Sequence, residues 1–181
     1  MKREIIVAGF GGQGVMSIGK TLIEAGMQEG LEVTWVPSYG PEMRGGTANC
    51  SVILSKTPIG SPVVSNPTEL IAMNPPSLAK FASSVVPGGL IFVNGASCQP
   101  EGLAEGVKVL CVPCDEIAIR LVSPKVSNMV MLGAYVGATG ALDPETLRAM
   151  IRRKFTGPKA NLVDRNLEAL EQGLACGRNF F

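Results

Sequence analysis

The stretch Ile5-Ile6-Val7-Ala8-Gly9-Phe10-Gly11-Gly12-Gln13-Gly14 decides the fold. It begins with an unbroken apolar run, which predicts a strand buried on both faces over residues 4–8. The run passes directly into the spacing Gly-x-Gly-x-x-Gly, and apolar residues then recur at helical spacing over residues 15–28. A strand, a glycine turn and a helix in this order are typical of the first unit of a doubly wound α/β domain.

The rest of the chain alternates strands and helices in the same way. Further strands are predicted at residues 31–37, 47–55, 70–73, 90–93 and 107–112. Further helices are predicted at residues 77–86, 115–121, 129–138, 144–155 and 161–176. Asp143 is placed to cap the helix at 144–155. The helix at 129–138 is apolar all round, so we expect it to lie between the sheet and another element.

Length and composition restrict the class of protein. With 181 residues and neither a linker nor a repeat, we expect one domain over residues 1–181. The alternation predicts a Rossmann-like, doubly wound, mostly parallel sheet with helices on both faces. A net charge of +1 argues against nucleic acid or acidic lipid as a partner, and no apolar run reaches the roughly 18 residues of a membrane span. An apolar content of 46% with 17% charged residues indicates that part of the surface meets another protein.

The glycine turn has the residues of an anion site but lacks those of a dinucleotide site. Gly9 permits the tight turn, Gly11 a close approach of backbone to ligand, and Gly14 close packing, with Gly12 and Gln13 between them. The first N–H groups of the following helix would face a phosphate. However, residues 33–38 contain no Asp or Glu to hold ribose and no Arg to accept a 2′-phosphate, which argues against NAD(P). Two interpretations of the turn are equally supported. It binds an anion, or its glycines only allow a helix or another chain to pack closely on it.

A second glycine-rich loop follows the second strand, at the edge where doubly wound folds bind ligands. Its candidate binding residues are Tyr39, Gly40, Glu42, Arg44, Gly45 and Gly46. The two charged side chains and the tyrosine are recognition groups, although a solvated Glu42–Arg44 pair explains the loop equally well. We expect the two loops to meet along one edge of the sheet.

Several other residues invite a chemical role. Five scattered cysteines in a chain without a secretion signal predict reduced thiols and a cytoplasmic location. Cys111 and Cys114 form a lone Cys-x-x-Cys, which could indicate thioredoxin-like redox chemistry or half a metal site. Simple packing is favoured, because the chain has no second cysteine pair or histidine to complete a zinc site and Cys111 lies in an apolar strand. The same lack of histidine removes the usual catalytic triads, so no catalytic residue and no metal site are predicted. Asn128 either contacts a ligand or, with Ser127, caps a helix, and capping is favoured.

A cluster of cations near the end of the helix at 144–155 has two interpretations. The cluster consists of Arg148, Arg152, Arg153 and Lys154. A phosphate could be held there, but a solvated helix end is favoured because the helix dipole already attracts cations to that position.

Together, three motifs resemble those of the gamma subunit of the 2-oxoacid:ferredoxin oxidoreductases, and the likeness spans nearly the whole chain. The motifs are residues 9–15, residues 38–46 and Ser127-Asn128-Met129-Val130-Met131-Leu132-Gly133. The resemblance implies a complex that oxidatively decarboxylates a 2-oxoacid, forms acyl-coenzyme A and reduces ferredoxin through iron–sulfur clusters.

Further implications concern the distribution of cofactors. Thiamine diphosphate, Mg²⁺ and the clusters would lie on partner subunits of the alpha, beta and delta types. The sequence agrees with this division, since it contains neither a Gly-Asp-Gly motif nor a ferredoxin-type cysteine run. The resemblance also implies that coenzyme A is a co-substrate of the complex, that the glycine loops face the cleft shared with it, and that the chain is not catalytic alone.

The leading interpretation is therefore a gamma subunit, with 2-oxoglutarate weakly favoured over pyruvate and the branched-chain 2-oxoacids. A stand-alone nucleotide- or coenzyme-A-binding module is the second interpretation. An NAD-dependent dehydrogenase is the third, and the missing ribose acid weighs against it.

Overall fold

A computed structural model describes residues 2–38, 47–98, 100–121 and 123–180. Within these residues the chain forms one mixed sheet covered by helices. The strands are β1 (Lys2–Phe10), β2 (Glu32–Ser38), β3 (Thr47–Ser55), β4 (Glu69–Ala72), β5 (Leu90–Asn94) and β6 (Lys108–Val112). The helices are α1 (Val15–Gln28), α2 (Pro75–Phe81), α3 (Cys114–Arg120), α4 (Ser127–Thr139), α5 (Pro144–Lys154) and α6 (Val163–Arg178). Short 3₁₀ turns span Ala82–Ser84, Pro124–Val126 and Gly157–Leu162.

The strand order is β2-β3-β1-β4-β5-β6. Strands β1, β4, β5 and β6 pair in parallel, whereas β3 is antiparallel to both β1 and β2. A short connection explains the reversal, because the eight residues between β2 and β3 are too few for the crossover that a parallel neighbour requires. The predicted mostly parallel α/β sheet is therefore confirmed, with one antiparallel strand inside it.

Alternating residues of β1 face two separate cores. Ile5 and Val7 lie in the larger core, which α1, α3, α4, α5 and α6 cover. Ile6 and Ala8 lie in the smaller core, against α2 and the 3₁₀ turn that follows it. Helices thus lie on both faces, as predicted, but most of them on one.

Helix α4 lies between the sheet and α6. The sequence predicted that this apolar helix would be covered by another element besides the sheet, and that element is α6. Glycines permit an unusually close approach of the two helices. A Cβ atom at Gly173 would lie 2.0 Å from the carbonyl oxygen of Val130, and one at Gly177 would lie 2.2 Å from that of Ala134. Both distances are far below contact, so no side chain fits there. Leu132 and Tyr135 on α4 are fully buried.

Helix ends follow the capping residues. The Asp143 side chain accepts from the N–H of Glu145 at 2.9 Å, which confirms the predicted cap of α5. Helix α2 begins earlier than predicted, at Pro75, because Asn74 accepts from the N–H of Ser77 and proline is well suited to the first helical turn. The predicted helix at 77–86 is shorter, since residues 82–84 form a 3₁₀ turn.

Candidate functional site

The candidate site lies at the carboxyl edge of the sheet. Strand register fixes the ends of both glycine-rich loops at this edge, since Phe10 pairs with Thr47 and Ser38 pairs with Asn49. The glycine turn thus begins opposite the residue at which the second loop ends. The predicted binding residues of that loop lie outside the described residues, namely Tyr39, Gly40, Glu42, Arg44, Gly45 and Gly46.

The glycines of the turn serve different purposes. A Cβ at Gly9 would lie 2.8 Å from both Met73 Cβ and Val15 Cγ2, so Gly9 lets β1 contact α1 and the residue that follows β4. Gly12 has φ +94°, with no described atom within 4 Å of a Cβ, and exposed Gly11 precedes it. Gly9 therefore serves packing, while Gly11 and Gly12 are exposed at the rim of the turn, with open space around Gly12.

Gly14 completes the turn and begins α1. It has φ +77°, a left-handed conformation that glycine adopts without strain. A Cβ there would lie 2.7 Å from Asn128 Cβ, so Gly14 packs on α4 and not on a strand. Among the described residues no side chain caps α1, which leaves its first N–H groups available to an anion at the rim.

The Gln13 side chain holds the turn against the neighbouring strand. Its Oε1 accepts from the N–H of Phe10 at 2.7 Å and from Asn74 Nδ2 at 2.9 Å, while its Nε2 donates to the carbonyl oxygen of Met73 at 2.9 Å. The amide is thus engaged with the protein itself. Gln13 orders the candidate site, a role that the glycine spacing did not indicate.

Asn128 does not cap α4, so the favoured prediction for it is wrong. Val126 occupies the N-cap position, and no side chain in the described residues accepts a capping hydrogen bond there. The preceding 3₁₀ turn runs directly into the helix, which places Asn128 one position inside it. Its partly buried side chain lies against Gly14.

The prediction of reduced thiols is also wrong for two cysteines. Cys98 and Cys111 form a disulfide, with Cα atoms 6.2 Å apart. Packing was favoured for Cys111 because it lies in an apolar strand, but the segment after β5 returns and places Cys98 beside it. The remaining described cysteines are free, and burial raises the pKa of the Cys50 thiol to about 11 and that of Cys114 further.

Potential metal ligands do not cluster in the described part of the chain. Those residues contain no group of three or more Cys, Asp or Glu side chains that could hold a metal ion. No helix of the described residues is both long and apolar enough to cross a membrane.

The basic end of α5 is not simply solvated. Arg148 donates to Glu171 and Glu145, and Arg153 donates to Gln28 on α1. The hydrogen-bonded ion pair between Arg148 and Glu171 raises the pKa of Arg148 and lowers that of Glu171. The contact between Arg153 and Gln28 joins α5 to the end of α1.

A second concavity, which we call the α1 groove, extends along α1 from Ser17 to Gln28 and encloses about 590 Å³. Its apolar lining consists of Val126, Met129, Met150, Ile151, Phe155 and Leu162, and its cations are Lys125, Arg153 and Lys154. Sequence reasoning missed this groove, because it is assembled from four segments that are distant along the chain.

Comparison with known proteins identifies the family. The model of the pyruvate ferredoxin/flavodoxin oxidoreductase family matches residues 4–176. The chain belongs to this family. It is 44% identical over 174 residues to the ketoisovalerate oxidoreductase subunit VorA of Methanothermobacter thermautotrophicus, covering 95% of this chain and 36% of that subunit. The chain therefore spans about a third of the length of this relative.

Solved structures extend the likeness. The 2-oxoglutarate:ferredoxin oxidoreductase of Magnetococcus marinus, with 2-oxoglutarate, coenzyme A and succinyl-CoA bound, matches with a TM-score of 0.90 and 26% identity over 99% of this chain and 32% of that one. The gamma subunit of the keto/oxoacid ferredoxin oxidoreductase of Geobacter sulfurreducens matches with a TM-score of 0.80 and 25% identity over 98% and 99% of the two chains. The family thus contains this domain both alone and as a third of a longer chain.

Proposed function

We propose that the chain is the gamma subunit of a cytoplasmic 2-oxoacid:ferredoxin oxidoreductase. The complex oxidatively decarboxylates a 2-oxoacid, transfers the acyl group to coenzyme A and passes the electrons to ferredoxin. The observation that carries the proposal is the match to a gamma subunit over 98% of this chain and 99% of that one. Thiamine diphosphate, Mg²⁺ and the clusters are assigned to partner chains of the alpha, beta and delta types.

Within this function, the glycine turn is proposed to hold a phosphate of coenzyme A. Gly11 and Gly12 are exposed at the rim, and the first N–H groups of α1 supply donors without a capping side chain among the described residues. The likeness to an oxidoreductase with coenzyme A and succinyl-CoA bound supports this ligand. Arg44 and the rest of its loop are proposed to contribute from the same edge.

The first test is purification from the native cell. The proposal expects a tagged chain to co-purify with larger subunits that carry thiamine diphosphate and iron–sulfur clusters. Those preparations should reduce ferredoxin only when a 2-oxoacid and coenzyme A are both present. A lone protein that binds nucleotide or coenzyme A tightly would instead support the stand-alone module.

The substrate is determined by the same preparation. The residues do not decide the 2-oxoacid, for which 2-oxoglutarate is weakly preferred, whereas the 44% identical relative is named for ketoisovalerate. Rates of ferredoxin reduction with pyruvate, 2-oxoglutarate and 2-ketoisovalerate at equal concentrations, compared as kcat/KM, would rank the three acids.

The coenzyme A site is tested by introducing negative charge. Gly12→Asp places a carboxylate on the open rim, and we expect the KM for coenzyme A to rise about tenfold, equivalent to about 1.4 kcal/mol, because like charges repel. The KM for the 2-oxoacid should stay unchanged. Gly102→Asp is the matched control, since Gly102 also has positive φ and open surroundings but belongs to the connection between β5 and β6. Equal KM values for both variants would refute the site.

A second variant addresses the other loop. We expect Arg44→Ala to impair acyl-CoA formation while leaving assembly intact. Arg152→Ala, at an exposed cation on α5, serves as its control. Unchanged steady-state kinetics of the Arg44 variant would count against a role of this loop.

A further inference from the structure

The α1 groove lies outside the glycine turn and has the features of a protein-docking surface. It follows α1 from Ser17 to Gln28, which is about 16 Å along the helix axis at 1.5 Å per residue. Phe155 and Leu162 are partly exposed along it, while Met129 and Ile151 lie buried beneath. An apolar channel of this length accommodates about three turns of a helix laid on its apolar face.

The charges around the groove are mostly positive. Lys125, Arg153 and Lys154 are exposed and line it, whereas Glu24 is its acidic lining residue. Neither lysine forms an ion pair within the described residues, and Arg153 contacts the neutral amide of Gln28. The groove therefore complements an apolar segment flanked by carboxylates.

The longer family members favour a protein segment as the occupant of the groove. In two longer family members the equivalent of this domain makes up about a third of the chain, so the remaining two thirds belong to one polypeptide with it. When the equivalent of those two thirds is a separate chain, this domain needs a surface to bind it, and an apolar groove provides one.

We propose that the α1 groove binds an amphipathic, acidic segment of a partner subunit of the complex. This inference rests on the proposed function, since it requires that the chain works within a complex. Apolar side chains of the segment contact Phe155 and Leu162. Its carboxylates pair with the three cations.

Charge reversal tests the proposal in the reconstituted complex. We expect the variant Lys125→Glu, Arg153→Glu, Lys154→Glu to raise the dissociation constant of this chain from its partners about tenfold or more, because all three pairs become repulsive. Lys56→Glu, Arg120→Glu, Arg152→Glu reverses three exposed cations outside the groove and serves as the control. The control should bind within about threefold of the wild type. Thermal unfolding of each free variant verifies that it is folded.

Thiol protection supplies an independent measurement. We expect maleimide to modify the introduced thiol of Lys154→Cys at least tenfold more slowly in the complex than in the free chain, whereas that of Arg152→Cys reacts at equal rates in both. Peptide mass spectrometry separates these sites from the native cysteines.

The outcomes are distinct. Wild-type affinity of the groove variant, an equal loss in the control, or full reactivity at position 154 in the complex would overturn the docking site while leaving the proposed function intact. If the wild-type chain forms no complex at all, the proposed function fails and this inference fails with it.

Discussion

Gly14, which precedes α1, lies directly against Asn128, the second residue of α4. The N-terminal ends of these two helices are therefore in contact. A Cβ at Gly14 would lie 2.7 Å from Asn128 Cβ, and Gly14 has φ +77°. Both features exclude a side chain. The contact links the glycine turn to α4, which is itself buried between the sheet and α6.

This contact predicts a large cost for Gly14→Ala. Left-handed backbone strain and the clash should together lower the free energy of unfolding by about 2–4 kcal/mol. Gly12→Ala has the strain without the clash and should lose only about 1–2 kcal/mol. Urea titrations followed by circular dichroism measure both. Similar losses for the two variants would show that the Asn128 contact is unimportant.

Gln13 is predicted to stabilise the fold in the absence of any ligand. Gln13→Ala leaves the N–H of Phe10 and the amide of Asn74 without their acceptor. We expect a loss of about 1–3 kcal/mol in the free energy of unfolding of the isolated chain. An unchanged melting temperature, together with weaker coenzyme A binding in the complex, would instead assign Gln13 to the ligand.

Gly173→Ala is predicted to disrupt the contact between α4 and α6. Alanine normally stabilises a helix interior by about 1 kcal/mol relative to glycine. Here its Cβ would lie 2.0 Å from the Val130 carbonyl oxygen, so we expect a loss of at least about 3 kcal/mol. Gly140→Ala, at a helix end without neighbours, should cost about 1–2 kcal/mol, through backbone strain alone. A gain in stability for Gly173→Ala would contradict the close approach.

Cysteine labelling should distinguish three classes of thiol. Under native conditions at pH 8, maleimide should modify the partly exposed Cys176 but neither Cys50 nor Cys114, because burial raises the pKa of both thiols. Denaturation without reductant should expose three thiols, and reduction should expose five. Five reactive thiols before reduction would contradict the Cys98–Cys111 disulfide.

Glu69 is predicted to make stability depend on pH. Burial raises its pKa above the ordinary value of 4.5, although Thr68 and Arg3 donate to it. The folded state therefore binds this proton more tightly than the unfolded state. The resulting stabilisation is present below pH 4.5 and is lost as the pH rises through the folded pKa. The free energy of unfolding of the wild type, measured relative to Glu69→Gln, should thus fall as the pH rises above 4.5. A rise would mean that the pair with Arg3 outweighs burial.

Local sequence patterns predicted most of the fold. The six strands and six helices of the described residues were all expected near their observed positions, because buried runs such as residues 5–8 and amphipathic spacing such as that of α1 are local signals. The antiparallel placement of β3 between β1 and β2 was not expected. It depends on which strands pair, and pairing is a tertiary property.

The site was less accessible from sequence. The spacing around Gly11 located the turn, but the role of Gln13 depends on Met73 and Asn74, sixty residues away. The pairing of Cys98 with Cys111 likewise depends on how the segment after β5 returns to β6. Such contacts leave no periodic pattern, so they became visible only with coordinates.

The anchoring of the glycine turn has a thermodynamic consequence for any ligand. Glycine-rich loops usually lose much backbone entropy when they close on a phosphate. Here Gln13 and Asn128 already hold the two ends of the turn before a ligand arrives. Association at this rim should therefore carry a small entropic penalty and should require little rearrangement of the chain.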